Sequence, residues 1–152
     1  MRPLDPHFAP DEELYLRFSH ARLRPAEPQY GLAQSVLSAD AIRIRDCQIS
    51  VNRQKYSPSP ESVLLDPPGE HNGIAVTTVG RLPQAVPGRD AEVYDCRPVD
   101  APLPDNPAHA NIAIHLAQQP FDPAREIPAG ARKRIKESLA SVFSVYRLPT
   151  PA

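Results

Sequence analysis

Alternation of apolar and polar side chains dominates the chain. Leu14, Leu16 and Phe18 alternate with Tyr15, Arg17 and Ser19, the period-2 pattern of a half-buried strand, closed by Pro25 and Pro28. Tyr30 to Ser38 reads as one or two helical turns with Leu32, Val36 and Leu37 on one side. Ala41 to Val51 predicts a second strand: Ile42 and Ile44 alternate with Arg43 and Arg45, and Ile49 and Val51 continue it. Parity changes between Ile44 and Ile49, which places a bulge or break near Asp46 and Cys47. Glu61 to Leu65 predicts a helical turn behind Pro60. Further strands are expected around Ile74, Val76 and Thr78, from Glu92 to Cys96 with Pro98 as the stop, and from Asn111 to Ala117. The last element differs in kind. Ile135, Leu139, Val142, Phe143 and Tyr146 make a helical stripe within Gly130 to Tyr146, with Arg132, Lys133, Lys136 and Glu137 left outside it.

These elements define an α+β fold: about five short, mostly antiparallel strands packed with one C-terminal amphipathic helix and joined by proline-rich loops. The expected division is a flexible or draped N-terminal arm over residues 1–12, a single globular domain over 13–147 and a tail over 148–152.

Composition narrows the function classes. A chain of 152 residues can bury one sizeable core, and 41% apolar with 23% charged residues excludes wholesale disorder. The formal net charge of -1 argues against binding nucleic acid or a membrane surface through bulk charge. Proline is the outlier, with 20 residues, and it stiffens the loops and shortens the elements. No apolar run approaches the ~20 residues that span a bilayer. The segment Met1-Arg-Pro-Leu-Asp-Pro-His7 has no signal-peptide core, so a cytoplasmic location is expected. In such a compartment Cys47 and Cys96 read as small core residues rather than a disulfide.

Candidate chemistry concentrates between Asp100 and His115, a loop stiffened by Pro102, Pro104 and Pro107 that runs into the Asn111 strand. His109 and His115 cannot share a metal, because six residues of strand separate them by roughly 20 Å. No metal or cofactor site is therefore expected. His109 with Asp100, Asp105 or Asn106 is the better constellation, since a carboxylate can orient an imidazole for general acid or base work. The opposing interpretation makes Asp105 and Asn106 turn-capping residues and His109 a strand-edge donor. The segment Ser50-Val-Asn-Arg-Gln-Lys-Tyr-Ser57 offers Arg53, Lys55 and Tyr56 to an anion or nucleotide, or forms an ordinary exposed loop. Arg132, Lys133, Arg134 and Lys136 can meet phosphates or an acidic partner, or form a solvated helix face. No nucleophile elbow, adjacent Cys–His pair or glycine-rich phosphate loop is present.

The order Leu-Tyr-Leu-Arg-Phe, Ser50-Val-Asn-Arg-Gln-Lys-Tyr-Ser-Pro and Pro-Leu-Pro-Asp-Asn-Pro-Ala-His-Ala-Asn-Ile resembles a group of small uncharacterised bacterial proteins. That group shares a Ser-Val-Asp/Asn-Arg loop and an Asn-Pro/Tyr-Ala-His-Ala/Ser motif, matched here over roughly residues 13–140. The resemblance directs attention to Asn106, His109, Ser50, Asn52 and Arg53 and implies no reaction. The leading expectation is a small accessory or adaptor module that binds another protein, without catalysis of its own. The alternative is a small enzyme or a nucleotide- or anion-binding domain, with His109 oriented by Asp100 or Asp105, and Arg53 and Lys55 holding the anion. A weaker alternative is nucleic-acid binding through Arg132 to Lys136.

Overall fold

A computed structural model describes residues 1–151. Its centre is a seven-stranded antiparallel sheet, curled into a half-barrel, in the order β6-β7-β8-β4-β1-β5-β9. The strands are β1 (Glu13–Phe18), β4 (Gln48–Arg53), β5 (Gly73–Thr78), β6 (Val86–Pro87), β7 (Val93–Asp100), β8 (His109–Leu116) and β9 (Ser144–Arg147). A separate two-residue pair joins β2 (Leu23–Arg24) to β3 (Val36–Leu37), and one helix, α1, covers Ala129–Val142.

Strand parity sorts the side chains into two faces. Leu14, Leu16 and Phe18 of β1, Ile49 and Val51 of β4, and Ala110, Ile112 and Ile114 of β8 point inward with Tyr94 and Cys96 of β7. Ala131, Ile135, Leu139 and Ala140 of α1 close over this inner face. Tyr15 and Ile74 face the other way, where Val63 covers them as a small second cluster. Between β4 and the start of β8 that outer face is polar, because Ser50 pairs across the sheet with Asn111 and Asn52 with His109.

The structure corrects several expectations. The sheet has seven strands rather than about five, since β6 and β9 join it. Phe143 ends the helix with extended backbone, and the next four residues pair with β5 instead of continuing the stripe. Phe143 and half-buried Val145 pack into the core at period 2. Their helical spacing to Leu139 is thus a coincidence of one turn. Val36 and Leu37 form a strand where helical turns were expected. Residues 42–45 are not part of β4; Asp46 and Cys47 both take positive φ, at 53° and 56°, in a two-residue turn between Arg45 and Gln48. This is the break signalled by the parity change. Pro98 does not stop β7, which runs to Asp100. The Cys96 amide points away from β8 to the Pro83 carbonyl, so two residues on the Pro98 nitrogen also faces away from the ladder and breaks no bond. Residues 1–12 are draped over one end of the inner face.

Candidate functional site

The candidate residues separate onto the two faces of the sheet. Arg53 ends β4 on the inner side and is fully buried. Its Nε and Nη2 donate to Glu12 at 2.9 and 2.8 Å, and Nη1 and Nη2 donate to the Asp5 and His7 carbonyls at 2.8 Å each. Asp100 stands 3.2 Å from Nη1, and the Phe8 ring packs 3.8 Å from the guanidinium carbon. Burial pulls the Arg53 pKa down, but the hydrogen bonds and charge of Glu12, joined by Asp100, outweigh it and leave the net shift upward. The guanidinium therefore stays charged and is consumed internally.

Asp100 belongs to the same cluster. It takes a bidentate pair from Arg2 at 2.7 Å and a hydrogen bond from the Asp5 amide at 2.7 Å. The Arg2 hydrogen bond, supported by Asp5 N–H and Arg53, holds its pKa at about 2 against the opposing effect of burial. Lys55 and Tyr56 both reach Asp5, and Arg2 stacks on the Tyr56 ring at 3.6 Å. Arg53, Lys55 and Tyr56 are thus the anchor of the N-terminal segment rather than an open anion site.

This geometry overturns the pairing of Asp100 with His109. Asp100 lies opposite Ala110 in the β7–β8 register, and neighbours along a strand point to opposite faces. His109 therefore projects from the outer face while Asp100 projects from the inner one. Asp105 does not orient the imidazole either: it sits exposed at the tip of the turn between Leu103 and Asn106. The version of the enzyme in which His109 and Arg53 share a pocket is excluded by the same parity. Among the basic residues of α1, Arg132 donates to the Ile44 carbonyl at 2.8 Å and ties the helix to the 42–45 segment. Lys133 is exposed and Lys136 half-buried on that helix, on the far side of the sheet from His109.

On the outer face the remaining candidates converge. The His109 Nδ1 lies 2.8 Å from the Ala101 carbonyl, and Nε2 lies 3.3 Å from the Ser50 Oγ. A carbonyl only accepts, so Nδ1 carries a proton, and in that tautomer Nε2 is left to accept from the Ser50 hydroxyl. Asn106 donates to the Asn52 Oδ1 at 2.8 Å, which turns the Asn52 NH2 group away as the donor end of that amide. A cleft of about 470 Å³ opens over these residues, walled by Arg17, Arg43, Tyr15, the 67–71 loop and Leu65. A second hollow of about 410 Å³ shares Arg43 and Ser50 with it and adds Arg45, Asp46, Gln48 and Asn111.

Sequence reasoning missed the arginines here. Arg17, Arg43 and Arg45 appear in the alternation only as the polar partners of core residues, and nothing local marks them. Among the described residues none of the three forms an ion pair. Asp46 and Glu70 are the acids along the same walls. The outer face therefore joins three unneutralised guanidinium groups to hydroxyl, amide and imidazole groups held on rigid strands. Among the described residues no group of three or more His, Cys, Asp or Glu is placed to hold a metal ion, and no helix is long and apolar enough to cross a membrane. No family model, curated protein or solved structure matches this chain.

Proposed function

We propose that the outer-face cleft binds an anionic ligand, and that the ligand is a carboxylate-rich, extended segment of another protein. The observation that carries this reading is the convergence of unpaired Arg17, Arg43 and Arg45 with Ser50, Asn52 and His109 on one face of a chain whose net charge is -1. Two hollows sharing Arg43 and Ser50 form one trough, which suits an extended ligand better than a compact one. The reading keeps the accessory role expected from the sequence and gives it a surface. Guanidinium groups pair with carboxylates bidentately, while the strand-borne amides and hydroxyl fix the ligand's register. Nucleic-acid binding through α1 draws less support, because Arg132 is already engaged with Ile44.

The test is fluorescence anisotropy of a labelled glutamate-rich peptide, with inorganic phosphate as competitor. Arg43→Glu is expected to weaken binding roughly tenfold, the loss of about 1.4 kcal/mol for reversing one charge against the ligand. Lys133→Glu, on the opposite side of the sheet, is expected to leave the affinity unchanged. Equal effects of the two variants would mean that bulk charge rather than the cleft does the binding. Complete competition by millimolar phosphate would replace the peptide by a small anion as the ligand.

A further inference from the structure

The geometry points to Ser50 as a nucleophile activated by His109, so that the cleft hydrolyses a carboxylic ester bearing a second, anionic group. The choice of substrate class rests on the anion-binding reading; the activation of the serine rests on the pair itself. Three features carry it. The Ala101 carbonyl fixes the imidazole tautomer through Nδ1 at 2.8 Å, the part a buried acid plays when it orients a catalytic histidine. The Ser50 Oγ stands 3.3 Å from the free Nε2, the loose hydrogen-bond distance common in unliganded sites. Ser50 is exposed and belongs to both hollows, so an acyl carbon can approach it.

Donors for the developing oxyanion flank the serine. Asn52 lies two residues along β4 on the same face, its carbonyl oxygen occupied by Asn106 and its NH2 group directed elsewhere. Asn111 is the direct cross-strand partner of Ser50. Side-chain amides of this kind stabilise tetrahedral intermediates in acyl transfer. Arg43, lining both hollows, would hold the anionic end of the substrate.

The reaction balances without a cofactor. As the Ser50 Oγ forms its bond to the ester carbonyl carbon, its proton passes to the His109 Nε2. The tetrahedral intermediate expels the alkoxide, which takes that proton and leaves as the alcohol, giving an acyl-Ser50. Water then attacks the acyl carbon and gives its proton to Nε2. The carbonyl reforms as the bond to Ser50 breaks, and the proton returns to the serine. The sum is one ester and one water converted to one acid and one alcohol.

The test is reaction of the full chain with a fluorophosphonate–biotin probe, with the labelled residue mapped by peptide mass spectrometry. Labelling is expected on Ser50, lost in Ser50→Ala and at least about a hundredfold slower in His109→Gln, the usual contribution of a general base. Circular dichroism of both variants establishes that they are folded. Should His109→Gln prove unfolded, Asn111→Ala provides the second reading, since it removes an oxyanion donor and is expected to slow labelling. Labelling at other serines, or at an equal rate in a folded His109→Gln, would overturn the assignment. Peptide binding by the wild type is measured in parallel. Binding without labelling sinks the dyad and leaves the recognition reading intact; labelling without binding does the reverse.

Discussion

Replacing Arg53 by Met removes one guanidinium and tests the charge cluster that fastens the N-terminal residues to the domain. Methionine keeps an unbranched apolar stem as far as the Nε position, so the packing of the stem survives and the loss falls on the guanidinium with its charge and donors. Glu12 would lose both side-chain hydrogen bonds from Arg53 and keep only the Lys55 amide, at 3.1 Å, while 8% exposed. Asp100 would keep Arg2 but lose its second cation. The carbonyls of Asp5 and His7 would lose the donors that now tie them down. Breaking a buried ion pair from one side destabilises by about 3–5 kcal/mol, because the remaining charge stays in a poorly solvated place. For a domain of this size that is a large part of a total stability of about 5–15 kcal/mol. Urea unfolding should show the midpoint falling by roughly 2 M, given a slope near 2 kcal/mol/M. Adding Glu12→Gln should recover part of the loss, since it neutralises the stranded carboxylate, so the double variant should be more stable than additivity allows. A loss below about 1 kcal/mol, or strict additivity with Glu12→Gln, would show that the cluster is solvated and the argument from burial is wrong.

Two more outcomes follow from the titrating groups. Asp100 has its folded pKa held at about 2, below its ordinary 3.8, by Arg2 first and then by Asp5 N–H and Arg53. Its contribution, about 2 kcal/mol, is fully present above about pH 4 and is lost as pH falls towards 2. Asp5, depressed by Lys55 and Tyr56, acts in the same direction. Melting temperatures measured between pH 2 and 6 should therefore fall steeply below pH 4 and less steeply in Asp100→Asn; parallel curves for the two proteins would refute the linkage. Burial pushes the Cys96 thiol up to about 12 and also raises Cys47. Ellman's reagent at pH 8 should find both thiols slow in the folded protein and two fast thiols in denaturant, and rapid native reaction of either would mean that its strand opens readily.

The period-2 reading located every strand of at least six residues, because each of these carries enough alternating positions to fix a face. It had nothing to hold on β6, whose two residues end in Pro87. It lost β9 because Val142, Phe143 and Tyr146 fit a helical stripe as well as a sheet edge; only the β5 partner decides between them. The error over Asp100 and His109 has a more specific origin. Proximity in a proline-rich loop suggested contact, yet the inward parity of Tyr94 and Cys96, carried through Pro98, already places Asp100 inward. Ending the strand at Pro98 concealed that inference. Pro98 stands on the unpaired side of its strand, and a proline there terminates nothing.

Ser50, Val51, Asn52 and Arg53 carry two separate roles within four residues. Alternate residues of one short strand serve opposite faces: Ser50 and Asn52 open to the cleft, while Val51 and Arg53 enter the core and the charge cluster. The two roles are mechanically linked. Arg53 accepts no freedom of position, being held by Glu12, two N-terminal carbonyls and Asp100, and its amide donates to the Ala108 carbonyl at 2.8 Å. That bond pins the end of β4 to the residue preceding His109. The separation of Ser50 from His109 on the outer face is consequently set from the inner one. Sites held on strands by packed supports keep their geometry better than sites on loops. A chain with Arg53 replaced should lose definition at the Ser50–His109 pair before it unfolds, although Arg53 touches neither residue.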